Sequence, residues 1–133
     1  MNDSSVCDPV NHGQGGLLQR GPVGLMNKTS DKAIWINCPI RTHLLYDSPA
    51  AVAVYARFVN TGNRHVNGTC VSREIGLGGG VIIARNFNFS IPPKTQKVVG
   101  GEGWLKNPYN NVTVQCKLPP KTKMIHYGVQ TVQ

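Results

Sequence analysis

Asn111-Val112-Thr113-Val114-Gln115-Cys116-Lys117-Leu118-Pro119-Pro120 is the stretch from which the fold is read. Val112, Val114, Cys116 and Leu118 fall on one face, and Thr113, Gln115 and Lys117 on the other. A period of two residues is that of a strand with one buried side. Pro119-Pro120 ends it, because proline has no N–H to give to a ladder. Ile125, Tyr127 and Val129 then alternate again and predict a terminal strand.

The same period recurs upstream. Ile34, Ile36 and Cys38 alternate with Ala33, Trp35 and Asn37 up to Pro39. Val52, Val54, Ala56 and Phe58 alternate with Ala53, Tyr55 and Arg57. A helix competes there, since Ser48 suits an N-cap and Pro49 a first helical position. The β-branched content favours a strand. Asn60-Thr61-Gly62-Asn63 has hairpin-turn residues, with a partner strand expected from Val66 to Ile75. Gly76 to Gly80 reads as a flexible loop; no Lys-Ser and no helix follow, so it does not cradle phosphate. Phe87, Phe89 and Ile91 mark a strand that Pro92-Pro93 breaks. Gln96 to Val99 reads as a short strand, with a turn at Gly100-Gly101.

About seven to eight short strands with regular turns predict one all-β domain, a single antiparallel β-sandwich of jelly-roll or Ig-like type. The sandwich is expected over residues 24–133. Residues 1–23 read as an irregular arm tied to it, with a short strand at Leu17–Gln19. No internal repeat and no further boundary are seen.

Fourteen Lys and Arg face six Asp and Glu, for a net charge of +8. That field attracts polyanions such as acidic polysaccharide, nucleic acid or an anionic membrane. The cations are spread along the chain. The densest group is Lys117, Lys121 and Lys123, with Lys94 and Lys97 upstream. No run of apolar residues is long enough for a transmembrane helix. The first fifteen residues are too polar for a signal peptide, so an exported protein would be seen here in mature form, with Met1 an added start.

The four cysteines are Cys7, Cys38, Cys70 and Cys116, with no C-x-x-C spacing for zinc or thiol redox chemistry. Dispersed, even-numbered cysteines in a loop-rich β chain predict two disulfides and an oxidising compartment. Cys7–Cys38 would pin the arm to a strand, and Cys70–Cys116 would join two strands across the core. Cys38–Cys116 is the rival pairing, because both residues face inward.

Asn37-Cys38-Pro39-Ile40-Arg41 after Gly24-Leu25-Met26-Asn27, Cys70 after an Asn/Gly turn, and Cys116-Lys117-Leu118-Pro119-Pro120 before Ile125-His126-Tyr127-Gly128-Val129 together resemble a loose group of small secreted bacterial proteins of unknown function. The resemblance covers residues 7–129. It implies a β-sandwich, a secreted, periplasmic or cell-surface location, and the pairing Cys7–Cys38 with Cys70–Cys116. It implies no activity.

Nothing points to catalysis. The six carboxylates (Asp3, Asp8, Asp31, Asp47, Glu74 and Glu102) read as surface charges, with no placement as the flanking pair of a glycosidase. No G-x-S-x-G elbow is present, and no cofactor or metal is implied. A small secreted hydrolase therefore ranks last. Binding ranks first, because exposed aromatic rings stack on sugars. Trp35 is expected to face outward. Trp104, in a Gly-rich turn, is grouped with Lys106, Tyr109, Asn107 and Asn110 as a ligand surface; Tyr55 is also expected outside. The expected partner is an acidic polysaccharide, or a surface protein held at a sheet edge. Nucleic acid ranks behind both, since Phe87 and Phe89 read as core rather than as a stacking platform. Asn27-Lys28-Thr29, Asn67-Gly68-Thr69, Asn88-Phe89-Ser90 and Asn111-Val112-Thr113 fit N-glycosylation sequons, as does Asn2-Asp3-Ser4. They read as turn and strand-face residues.

Overall fold

The computed structural model describes residues 2–3, 7–21, 24–40, 51–76, 78–104 and 111–131. The strands are β1 (Asn2–Asp3), β2 (Asp8–Pro9), β3 (Leu18–Gly21), β4 (Gly24–Asn27), β5 (Ile34–Ile40), β6 (Ala51–Asn60), β7 (Val66–Ile75), β8 (Val81–Ile91), β9 (Gln96–Trp104), β10 (Asn111–Leu118) and β11 (Thr122–Thr131). A 3-10 helix spans His12–Leu17. One sheet has the order β3-β4-β11-β6-β9, with β1 also on β11; the other has the order β2-β5-β10-β7-β8.

Four antiparallel pairs nest inside one another: β4 with β11, β5 with β10, β6 with β9, and β7 with β8. A long two-stranded ribbon rolled into two facing sheets is a jelly roll, which decides between the two expected sandwich types. Of these four pairs, β7–β8, the innermost, is the tight hairpin. Its Gly-rich turn is closed by Gly76 N–H donating to Gly80 O and Gly79 N–H to Gly76 O. Gly79 takes a positive φ of 89° there, which glycine alone adopts without cost.

Three expectations are corrected. Asn60–Asn63 is not a hairpin turn: β6 and β7 lie in different sheets, and the segment carries the chain from one to the other. Gly100-Gly101 is not a turn: β9 runs through it, with Gly100 opposite Tyr55 and Gly101 opposite Val54. A Cβ at Gly100 would stand 2.8 Å from Val54 O, so the glycine admits a close strand rather than a bend. The arm is not irregular, since β1 and β3 extend one sheet and β2 the other. Arg20 ties it together, donating to Cys7 O at 2.6 Å and to Asp8 Oδ1 at 2.8 Å.

The core lies between the sheets. Ile34, Ile36 and Cys38 of β5, Val54, Ala56 and Phe58 of β6, Cys70 of β7 and Val112, Val114, Cys116 and Leu118 of β10 are buried. Phe58 stacks on Phe89 across the interior, centroids 4.3 Å apart. The Phe89 ring lies over Gly68, leaving no room there for a Cβ. A bulge in β11 between Met124 and His126 turns both Met124 and Tyr127 inward. The Tyr127 hydroxyl donates to Pro39 O at 2.6 Å, tying one sheet to the other.

Both disulfides pair as favoured, Cys7–Cys38 and Cys70–Cys116. Cys38–Cys116 is excluded by register, since Cys116 lies opposite Ile36 and Cys38 opposite Val114. Cys70 and Cys116 are direct partners on adjacent strands, so that bond staples one sheet and does not cross the core. Glu74 is not a surface charge: it is 5% exposed, on the inward face that Cys70 and Ser72 share.

Candidate functional site

Loops 28–33, 61–65, 92–95 and 119–121 all pass between the two sheets, and the nesting of the strands brings them to one end of the sandwich. Two fully buried asparagines, Asn27 and Asn60, organise that end. Asn27 Oδ1 accepts from Thr29 N–H at 2.9 Å, and its Nδ2 donates to Lys32 O and Leu118 O at 2.7 and 2.9 Å. Asn60 Oδ1 accepts from Gly62 N–H at 2.9 Å, and its Nδ2 reaches Arg64 O, Ile91 O and Pro92 O at 2.7, 3.1 and 3.2 Å. Each amide therefore turns its own loop and clamps the end of another strand, which satisfies buried backbone groups.

The strands so clamped end alike. Ile91 and Leu118 each precede Pro-Pro-Lys-Thr, at 92–95 and at 119–122. In both turns the lysine takes φ 56°. In both, the threonine hydroxyl donates back to the second proline's carbonyl, Thr95 to Pro93 O at 3.0 Å and Thr122 to Pro120 O at 3.1 Å. A short internal repeat thus exists where none was expected. It places matching turns on either side of the end of β6. Thr61 joins them: its N–H and hydroxyl donate to Lys121 O, and its own carbonyl accepts from Lys94 Nζ.

Cations that are scattered in sequence are gathered here. The four loops carry Lys28, Lys32, Arg64, Lys94 and Lys121 against the carboxylate of Asp31 alone. A cleft of about 800 Å³ opens among them, lined by Asp31, Asn63, Arg64, His65 and Lys121.

A second depression, of about 750 Å³, runs over the outside of the other sheet to β9, past Lys117, Thr69, Asn88, Ser90, Lys97 and Val98. Among the described residues its lining has no carboxylate. Trp35 stands beside it, in register with Lys117 and 36% exposed between buried Ile34 and Ile36. Asn67 lines both depressions. At that seam the Ser90 hydroxyl donates to Asn67 Oδ1 at 2.7 Å and is hydrogen-bonded by His65 Nε2.

The outer face of the first sheet carries Tyr55, which lies over Gly128; a Cβ there would be 3.0 Å from the Tyr55 hydroxyl. Tyr55 meets His126 edge to face at 6.0 Å. Burial, and then the positive charge of Arg57, hold the His126 pKa below its usual 6.5, with the chain's amino group adding to the effect. His126 Nδ1 and Arg57 Nε are buried without a partner among the described residues.

The sequence-predicted residues divide. Trp35 faces outward as expected, and Tyr55 is half-buried on the outer face of its sheet. Trp104 is the last residue of β9, opposite Ala51, and not part of a turn. Since β9 starts at the four-loop end, Trp35 and Trp104 belong to opposite ends of the sandwich and do not form one surface. The Trp104 side chain, Lys106, Tyr109, Asn107 and Asn110 lie outside the described residues. Asn27 is consumed by its hydrogen bonds, as a turn residue would be, while Asn67 and Asn88 are exposed.

No protein-family model matches the chain, and no curated protein matches it. Among the described residues no helix is long and apolar enough to cross a membrane, and no His, Cys, Asp and Glu cluster could hold a metal ion. Of the described carboxylates, Asp8 pairs with Arg20 at the sheet edge, Asp31 sits at the loop end and Glu74 is inside. They are not grouped as a catalytic pair.

Proposed function

We propose that this domain is a secreted or cell-surface binding module that takes an acidic glycan on the outer face of the sheet bearing Trp35. One observation carries the reading: an exposed tryptophan in register with Lys117, at the side of a depression that the described residues line with amide, hydroxyl and ammonium groups and no carboxylate. A ring face packs on the C–H face of a pyranose, amides hydrogen-bond its hydroxyls, and a lysine meets its acid group. Two disulfides suit an oxidising exterior.

The test is a titration with acidic oligosaccharides at physiological and at high salt. We expect binding that survives added salt and weakens about tenfold in Trp35→Ala, which corresponds to about 1.4 kcal/mol. Binding that fades with salt alike in the wild type and the variant would mean that net charge alone attracts the ligand, and would overturn the reading.

A further inference from the structure

We infer that the cleft at the four-loop end, lined by Arg64 and Lys121 and not by Lys28, is a second subsite, which receives the oxyanion groups of the same glycan chain: sulfate esters or uronate carboxylates. The inference rests on the reading of Trp35 and its neighbouring depression as the sugar-stacking site. It makes the ligand a chain several residues long, not a single acidic sugar.

Contiguity is the first argument. Asn67 lines both the depression beside Trp35 and the cleft among the loops, so the two adjoin and one chain can reach from the first into the second. Excess positive charge is the second: among the described residues two cations line the cleft against the one carboxylate of Asp31. Arg64 and Lys121 line the cleft and are exposed. A guanidinium and an ammonium on neighbouring loops offer a forked donor and a point charge to one oxyanion.

Rigidity is the third. Asn27, Asn60 and Thr61 tie all four loops to one another, so few backbone motions are lost on binding. Asn60, which holds the loops, also lines the cleft, but the two cations do not hold them: Arg64 contributes only its carbonyl to the clamp, and Lys121 likewise. Lys94 differs, because its ammonium is already committed to Thr61 O. The left-handed backbone at Lys121 is one that glycine or asparagine ordinarily supplies, yet a cation stands there.

The experiment measures affinity for size-defined heparin fragments, disaccharide and hexasaccharide, by calorimetry with the intact chain. The variants are Arg64→Ala, Lys121→Ala, the double variant, Trp35→Ala, and Lys28→Ala as a charge control that does not line the cleft. For the hexasaccharide we expect about fivefold loss from each cleft variant, the size of one exposed charge contact, with the two losses multiplying in the double variant. The disaccharide should lose affinity in Trp35→Ala only. Lys28→Ala should bind both fragments as the wild type does. An oligogalacturonate of equal length, tested beside heparin, tells carboxylate recognition from sulfate recognition.

Three results would overturn the inference, and they are distinguishable. If Trp35→Ala weakens binding but the double variant holds the hexasaccharide normally, the stacking site stands and the subsite falls. If the cleft variants weaken binding and Trp35→Ala does not, the stacking site falls and the shared chain with it. If Lys28→Ala costs as much as Arg64→Ala, only net charge is being measured.

Discussion

Asn27 and Asn60 make matching hydrogen bonds at one end of the sandwich, each accepting from the N–H two residues on and each donating to the residue before a Pro-Pro-Lys-Thr turn. The match relates β4, β5, β10 and β11 to β6, β7, β8 and β9, the two halves of the rolled ribbon. Removing either amide leaves buried carbonyls without a donor. Asn60→Ala is expected to lower unfolding free energy by about 3 kcal/mol, read from urea unfolding, because buried unsatisfied groups cost on that order. Asn60→Asp should be no milder, since it keeps the acceptor for Gly62 and loses the donor for Ile91 and Pro92. A variant within about 0.5 kcal/mol of wild type would show that water replaces the clamp.

Gly68 and Gly100 are positions where a methyl group has nowhere to go. Gly68→Ala drives into the Phe89 ring, itself stacked on Phe58, and Gly100→Ala meets the backbone oxygen of Val54 at 2.8 Å. Each is expected to cost about 2 kcal/mol, the scale of an overpacked core. Gly15→Ala, with open space around it, should be neutral. Thermal unfolding of the three variants orders them, and a Gly100→Ala protein as stable as Gly15→Ala would show that β9 shifts freely.

The disulfides close loops with sequence separations of 31 and 46 residues. On the loop-entropy model each contributes about 4 kcal/mol. Cys70→Ala with Cys116→Ala removes a bond between strands that remain paired on both sides, so the fold should persist at reduced stability. Cys7→Ala with Cys38→Ala leaves β2 held by its short pairing with β5 and by Arg20. Hydrogen exchange should then rise at β2 before it rises at β10.

His126 sets a pH dependence with a definite sign. Its pKa in the fold lies below the unfolded value of 6.5 because of burial, Arg57 and the amino terminus. Above pH 6.5 the ring is neutral in both states. As pH falls below 6.5 the unfolded chain takes up a proton that the folded ring resists, so stability declines until the folded ring also protonates. Melting temperatures at pH 7.5 and 5.5 should therefore differ less in His126→Gln than in the wild type. An equal difference would assign the pH response to other groups.

The strands were legible because burial alternates along them, and even the end of β7 and the prolines after Leu118 stand where the residues put them. The sheet assignment was not. Asn60-Thr61-Gly62-Asn63 has the same residues whether a turn joins neighbours or crosses between sheets, and only the burial of Asn60 tells them apart. The depth of Glu74 was legible by parity: it keeps the phase of Cys70, which its disulfide turns inward. The Pro-Pro-Lys-Thr repeat was visible as letters but too short to weigh until both copies reached the same end. The basic cleft could not be read at all, since Arg64, Lys94 and Lys121 meet only once the ribbon is rolled. The exposure of Trp35 was legible from alternation, whereas the place of Trp104 at the opposite end of the sandwich follows only from strand direction.

The clamp at the loop end has a further consequence, for how such a domain could change its target. The buried amides and main-chain carbonyls fix the path of all four loops, while the side chains of Ser30, Asn63, Arg64 and Lys121 point away from that work. Those positions can be rewritten as a recognition surface without disturbing the frame beneath them. The jelly roll is in that sense a mount with an exchangeable face, and a library confined to those four positions would search new ligands at little risk to folding.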